Sequence, residues 1–106
     1  MNEYIDIEKA EIPYAFEVDL NSEVYELEIN YNQSFDYFTV DLFKDGAALV
    51  IGEKLVLNRP LFRNFVSIDL PKTQITPLDR AGNAKRITWD NFNETVFLYV
   101  VGDGSE

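Results

Sequence analysis

A chain of 106 residues, 46% hydrophobic and 14% aromatic, has enough apolar material for one compact domain and too much for intrinsic disorder. Its 19 acidic residues outnumber the 9 basic ones, giving a formal net charge of -10, a field that repels phosphate backbones and anionic lipid and so excludes nucleic acid and membrane surfaces as expected partners. Histidine and cysteine are both absent, which removes imidazole acid–base relays, thiol nucleophiles, disulfides and thiolate metal sites together.

The first residues, Met1 to Glu8, are acidic and lack the basic region and apolar run of a secretory signal, so synthesis and folding in a cytoplasm are expected. Tyr4 to Glu8 alternates briefly, as an edge strand would. Ala15 to Leu20 alternates clearly, with Phe16, Val18 and Leu20 on the inward face. The polar corner Asn21 to Glu23 turns the chain into its strongest signal, two alternating segments at Val24–Tyr31 and Tyr37–Phe43 around the loop Asn32–Asp36. They predict a long antiparallel hairpin with Tyr25, Leu27, Ile29 and Tyr31 facing the matching row Phe38, Val40 and Leu42.

Asp45-Gly46 is a tight hairpin turn, because glycine accepts positive φ without steric cost. A fourth meander strand follows from Ala47, and Gly52 inside its apolar run marks a bulge or corner. Pro60 breaks the pattern, and Phe65 to Leu70 resumes it. Pro71 and Pro77 bracket at most a short strand over Lys72–Thr76, and Asp79 to Asn83 reads as a turn that Asp79 initiates. Lys85–Trp89 and Glu94–Val101 are expected to pair through Asp90–Asn93, where Asn91 to Thr95 is the one stretch suited to a helical turn. About eight short strands at near-even spacing predict an all-β fold, a small antiparallel barrel or sandwich, over residues 1–101, with 102–106 a fraying tail.

No chemical constellation stands out against this pattern. Serine never occupies a Gly-x-Ser-x-Gly elbow, and the five glycines are too scattered to cradle a phosphate. Carboxylate pairs are the one remaining route to hydrolysis, with Asp36 and Asp41 the obvious choice. Asp41 alternates onto an outward face, though, and Asp36 and Asp79 sit where aspartates bond nearby backbone, so structural roles are expected for all three. Asp79 to Asn83 lacks calcium-loop spacing. A carbohydrate platform would need exposed aromatics in a row, for which Trp89 with Tyr99 or Tyr37 is the available set; filling a small core is the commoner use of such rings. Neither cofactor nor metal is expected. Leu61, Phe62 and Phe65, apolar bulk in an irregular segment, either plug an open end of the fold or form an exposed anchor for a partner protein. They are the candidate partner interface.

The order Phe16, Val18, Leu20, then Tyr25, Leu27, Ile29, Tyr31-Asn32, then Asp36 and the Thr39-Val40-Asp41-Leu42 strand, Asp45-Gly46, Leu55, Pro60-Leu61 and a closing Val96 to Val100 resembles the phage baseplate plug proteins. These are small all-β structural proteins of tailed phages and related prophages, typified by a cyanophage plug at the distal end of the tail. The resemblance runs from about Ile12 to Val101. It implies a non-enzymatic virion component at the distal tail or baseplate, acting as a plug or hub-associated assembly protein. Its partners would be other tail, baseplate or hub proteins, with self-association as a further expectation, and its place before assembly the host cytoplasm. A small carbohydrate- or surface-binding module is the alternative of a different class.

Overall fold

The computed structural model describes residues 3–20, 22–63, 70–71 and 73–101. Seven strands are present among them: β1 (Glu3–Ile5), β2 (Tyr14–Leu20), β3 (Glu23–Asn32), β4 (Tyr37–Lys44), β5 (Ala47–Lys54), β6 (Gln74–Asp79) and β7 (Val96–Val101), with a 3-10 turn at Lys9–Glu11. They form two antiparallel sheets, a four-stranded meander in the order β2-β3-β4-β5 and a three-stranded sheet in the order β1-β7-β6. The sheets are not joined into a closed cylinder, so of the two expected architectures the chain adopts the sandwich.

The hairpin signal is realised residue for residue. Leu27 pairs with Leu42, Ile29 with Val40 and Tyr31 with Phe38, and β2 adds Phe16 opposite Leu27. A period-two pattern puts all these side chains on one face, and Leu27, Ile29, Phe38, Val40 and Leu42 are completely buried there. The facing sheet contributes Ile5, Ile75, Val96 and Leu98, and loops add Leu55, Ile87 and Phe92. The other face of the meander is acidic, with Glu17 directly opposite Glu26 and Glu28 directly opposite Asp41. Like charges so placed disfavour the pairing slightly, and the buried row on the reverse side outweighs them.

Asp45 and Gly46 both have positive φ, 53° and 81°, the geometry of a two-residue turn whose twist suits the flanking strands. Gly52 also behaves as expected. Val40 pairs with Glu53 but Leu42 pairs with Val50, so β5 carries an extra residue there, and a second shift follows between Leu42 and Phe43. Gly52 has φ of 76°, and its N–H donates to the Asp41 carboxylate at 2.7 Å. The outward Asp41 is thus a bulge cap.

Two expectations are corrected. The strand around Pro77 does not stop before it: β6 runs through Pro77 to Asp79, because the carbonyls of Ile75 and Pro77 face away from β7. They accept the N–H groups of Leu61 and Asn58, at 2.8 Å each. The proline nitrogen lies on that same side, so its missing proton costs the β6–β7 ladder nothing. The second correction concerns Lys85–Trp89, which is irregular and does not pair with β7; the edges of β7 are taken by β6 and β1. Asn91 holds this loop instead, accepting the Thr88 N–H at 2.8 Å through its side chain and donating to the Arg86 carbonyl at 2.9 Å. Asn91 to Thr95 makes a single turn, with the Thr95 N–H donating to the Asn91 carbonyl at 3.0 Å. Asp79 initiates its turn as expected, accepting N–H groups from Ala81, Asn83 and Ala84. The strand expected over Phe65–Leu70, Leu70 apart, and the tail 102–106 lie outside the described residues.

Candidate functional site

Three segments remote in sequence meet at one end of the sandwich: the approach to β2, the β3–β4 loop and the loop before β7. Phe38 is the hub of their packing. Its ring lies 4.8 Å from Tyr31, 4.4 Å from Phe92 and 5.9 Å from Trp89, the last nearly parallel at 12°. Tyr31 and Trp89 are themselves 4.8 Å apart, and both are half-buried. The Lys9 ammonium sits 5.2 Å from the centre of the Trp89 ring and donates to the Trp89 carbonyl, tying the 3-10 turn to the aromatic cluster.

Asp36, at a positive φ of 57°, points its carboxylate into this junction rather than back along its own loop. It accepts the Tyr31 hydroxyl at 2.7 Å and the Trp89 N–H at 2.8 Å, and Arg86 approaches at 3.5 Å while also donating to the Asp36 carbonyl. The Tyr31 hydrogen bond, followed by those from Trp89 and Arg86, holds the Asp36 carboxyl below its ordinary 3.8. The same bond raises the Tyr31 hydroxyl, since it stabilises the protonated phenol. With Tyr31 and Trp89 both donating to one carboxylate oxygen and Arg86 approaching the other, Asp36 is a clasp between two loops.

This arrangement carries a pH signature. The folded value of Asp36 is lowered, so its contribution to stability is complete above 3.8 and is lost as pH falls through the folded value. Asp36→Asn is expected to lower the thermal midpoint by a constant amount above about pH 5, with the gap to wild type closing below that. Melting curves of both proteins across acidic pH measure it, and a gap independent of pH would place the clasp elsewhere.

A pocket of about 470 Å³ opens beside the junction, lined by Ile12, Pro13, Asn30, Tyr31, Gln33 and Trp89. Its walls are two aromatic rings, one of them the phenol of Tyr31, two aliphatic side chains and two neutral amides, a lining suited to apolar contact with a few hydrogen bonds. No group of three or more acidic residues that could hold a metal ion occurs among the described residues.

The singled-out residues are distributed differently from their grouping in the sequence. Leu61 and Phe62 are each 7% exposed and belong to the core, and Phe65 lies outside the described residues. Phe62 is held by its N–H, which donates to Glu53 at 3.0 Å. Trp89, Tyr99 and Tyr37 do not form a row: Tyr99 is on the outer face of the small sheet, 5.9 Å from Tyr4 and 6.2 Å from Phe97, and Tyr37 lies under Lys54. Sequence reasoning missed that outer aromatic group, although Phe97 and Tyr99 alternate with the buried Val96 and Leu98. It also missed the pocket, whose residues have no common local pattern.

Comparison with curated proteins gives no match. The chain does match, over residues 2–103 of its 106, the protein family described as Cyanophage baseplate Pam3 plug gp18. An all-β sandwich built on the Tyr31-Asn32 hairpin, with a match of that extent, makes the chain a member of this cyanophage baseplate plug family.

Proposed function

We propose that the protein is a non-enzymatic structural component of a tailed-phage or prophage virion, seated at the distal tail or baseplate as a plug or hub-associated assembly protein. The observation that carries this reading is the family match across nearly the whole chain. Its partners in this reading are other tail, baseplate or hub proteins and further copies of itself, with no part for nucleic acid or membrane. The geometry supports this reading through the character of the pocket beside Trp89, whose neutral amides and apolar walls suit recognition. Of the candidate interface residues, Leu61 and Phe62 lie in the core, so a direct part in a partner contact falls to Phe65, which lies outside the described residues.

The test is light-scattering mass of the purified protein, alone and mixed with the tail proteins encoded beside it. A defined complex with one of them is the expected result. A monomer that ignores all of them would overturn the assembly role.

A further inference from the structure

The pocket beside Trp89 adjoins an unfinished sheet edge. β3 pairs with β2 only as far as Ile29, opposite Tyr14, whereas its pairing with β4 continues through Asn30, Tyr31 and Asn32. Pro13, the residue that would prolong β2, has no N–H to donate, and the chain diverges there. The last three residues of β3 therefore have a strand on one side only, and the space left on the other is the 470 Å³ pocket, with Ile12 and Pro13 along one side and Asn30 and Tyr31 along the other. An open strand end next to an aromatic-walled hollow offers two kinds of recognition at once, main-chain hydrogen bonds and a seat for a side chain.

We propose that this site receives a short extended segment of a partner protein, added as a strand along Asn30–Asn32, with an apolar side chain seated between Tyr31, Trp89, Ile12 and Pro13 and basic side chains flanking it. The charge around the site selects the flanks. Glu8, Glu11 and Asp90 are exposed at its approaches, and none of them is in an ion pair among the described residues. The nearby cations are already engaged, Lys9 with Trp89 and Arg86 with Asp36. A sugar fits less well, because the Trp89 ring it would stack on is already in contact with Phe38, Tyr31 and the Lys9 ammonium. The inference rests on the assembly role proposed above and names the contact through which it is exercised.

Trp89 is the only tryptophan and lines this pocket, so in the folded protein its emission responds to what enters the pocket. The experiment titrates the intact protein with short overlapping synthetic peptides covering the tail proteins encoded beside it, and in parallel with those proteins whole. A peptide with an apolar residue between basic ones is expected to change Trp89 emission saturably. N-methylation of its alternate amides should weaken binding by about tenfold while the intervening positions tolerate it, the pattern of an added strand. Glu8→Lys with Glu11→Lys should weaken it severalfold. If whole neighbours form a complex while no peptide alters Trp89 emission, the inference is overturned and the assembly role stands. If no neighbour binds at all, both fail. Binding indifferent to N-methylation at every position, or a saturable response to oligosaccharides and to no peptide, also overturns it.

Discussion

Phe38→Ala is expected to destabilise the protein by about 3–5 kcal/mol, the range for removing a large aromatic from a closed core. Phe38 is fully buried and touches three other rings, Tyr31, Trp89 and Phe92, which come from β3 and from the loop before β7. Those rings are anchored by Asp36, Asn91 and Lys9, so they have little freedom to close over the vacated volume, which places the cost at the upper end of that range. For a domain of this size, whose total stability is on the order of 5–15 kcal/mol, that is a large fraction. Chemical denaturation followed through Trp89 reads it directly, and a loss below about 1 kcal/mol would mean that the ring cluster is not what joins the two loops.

Leu27→Ala should cost about 2–5 kcal/mol and for a different reason. Leu27 is fully buried at the centre of the meander, with Phe16 on one neighbouring strand and Leu42 on the other. A cavity there is bounded by paired backbone on both sides, which cannot move inward without breaking ladder hydrogen bonds. Val24→Ala on the same strand is the matching control: Val24 is 52% exposed, and its truncation should change stability by no more than about 0.5 kcal/mol. Equal losses at the two positions would put the register of β3 in error by one residue, since a single-residue slip exchanges the faces.

These two sites also show how far the sequence could be read. Leu27 and Phe38 were visible as inward residues because strand periodicity is a local property, decided by the residue two places away. Asp45-Gly46 and Gly52 were visible for a similar reason: each marks a backbone conformation that few other residues adopt. Pro77 reads in the sequence as the end of a short strand, whereas whether a proline ends a strand depends on which side of β6 the ladder lies, a fact supplied by Asn58 and Leu61 from another part of the chain. Lys85 to Trp89 alternates well enough to suggest a strand, yet β7 has only two edges, and β6 and β1 occupy both. The pocket was the least legible element. Ile12, Asn30 and Trp89 acquire a common meaning only when the two sheets are stacked.

The treatment of Pro77 has a consequence for how many molecules can associate. A sheet whose outer strands are free can recruit an identical chain, and that chain another, so that association has no natural end. Here the outer side of β6 is capped by the molecule's own Asn58 and Leu61, β5 is twice bulged, β1 is three residues long, and β2 bears Glu17 and Asp19. Open-ended stacking is obstructed at each border. What remains is a few residues at the tip of β3, a length that suits one short guest better than a growing ladder, so strand addition of the kind proposed there would end with a single guest.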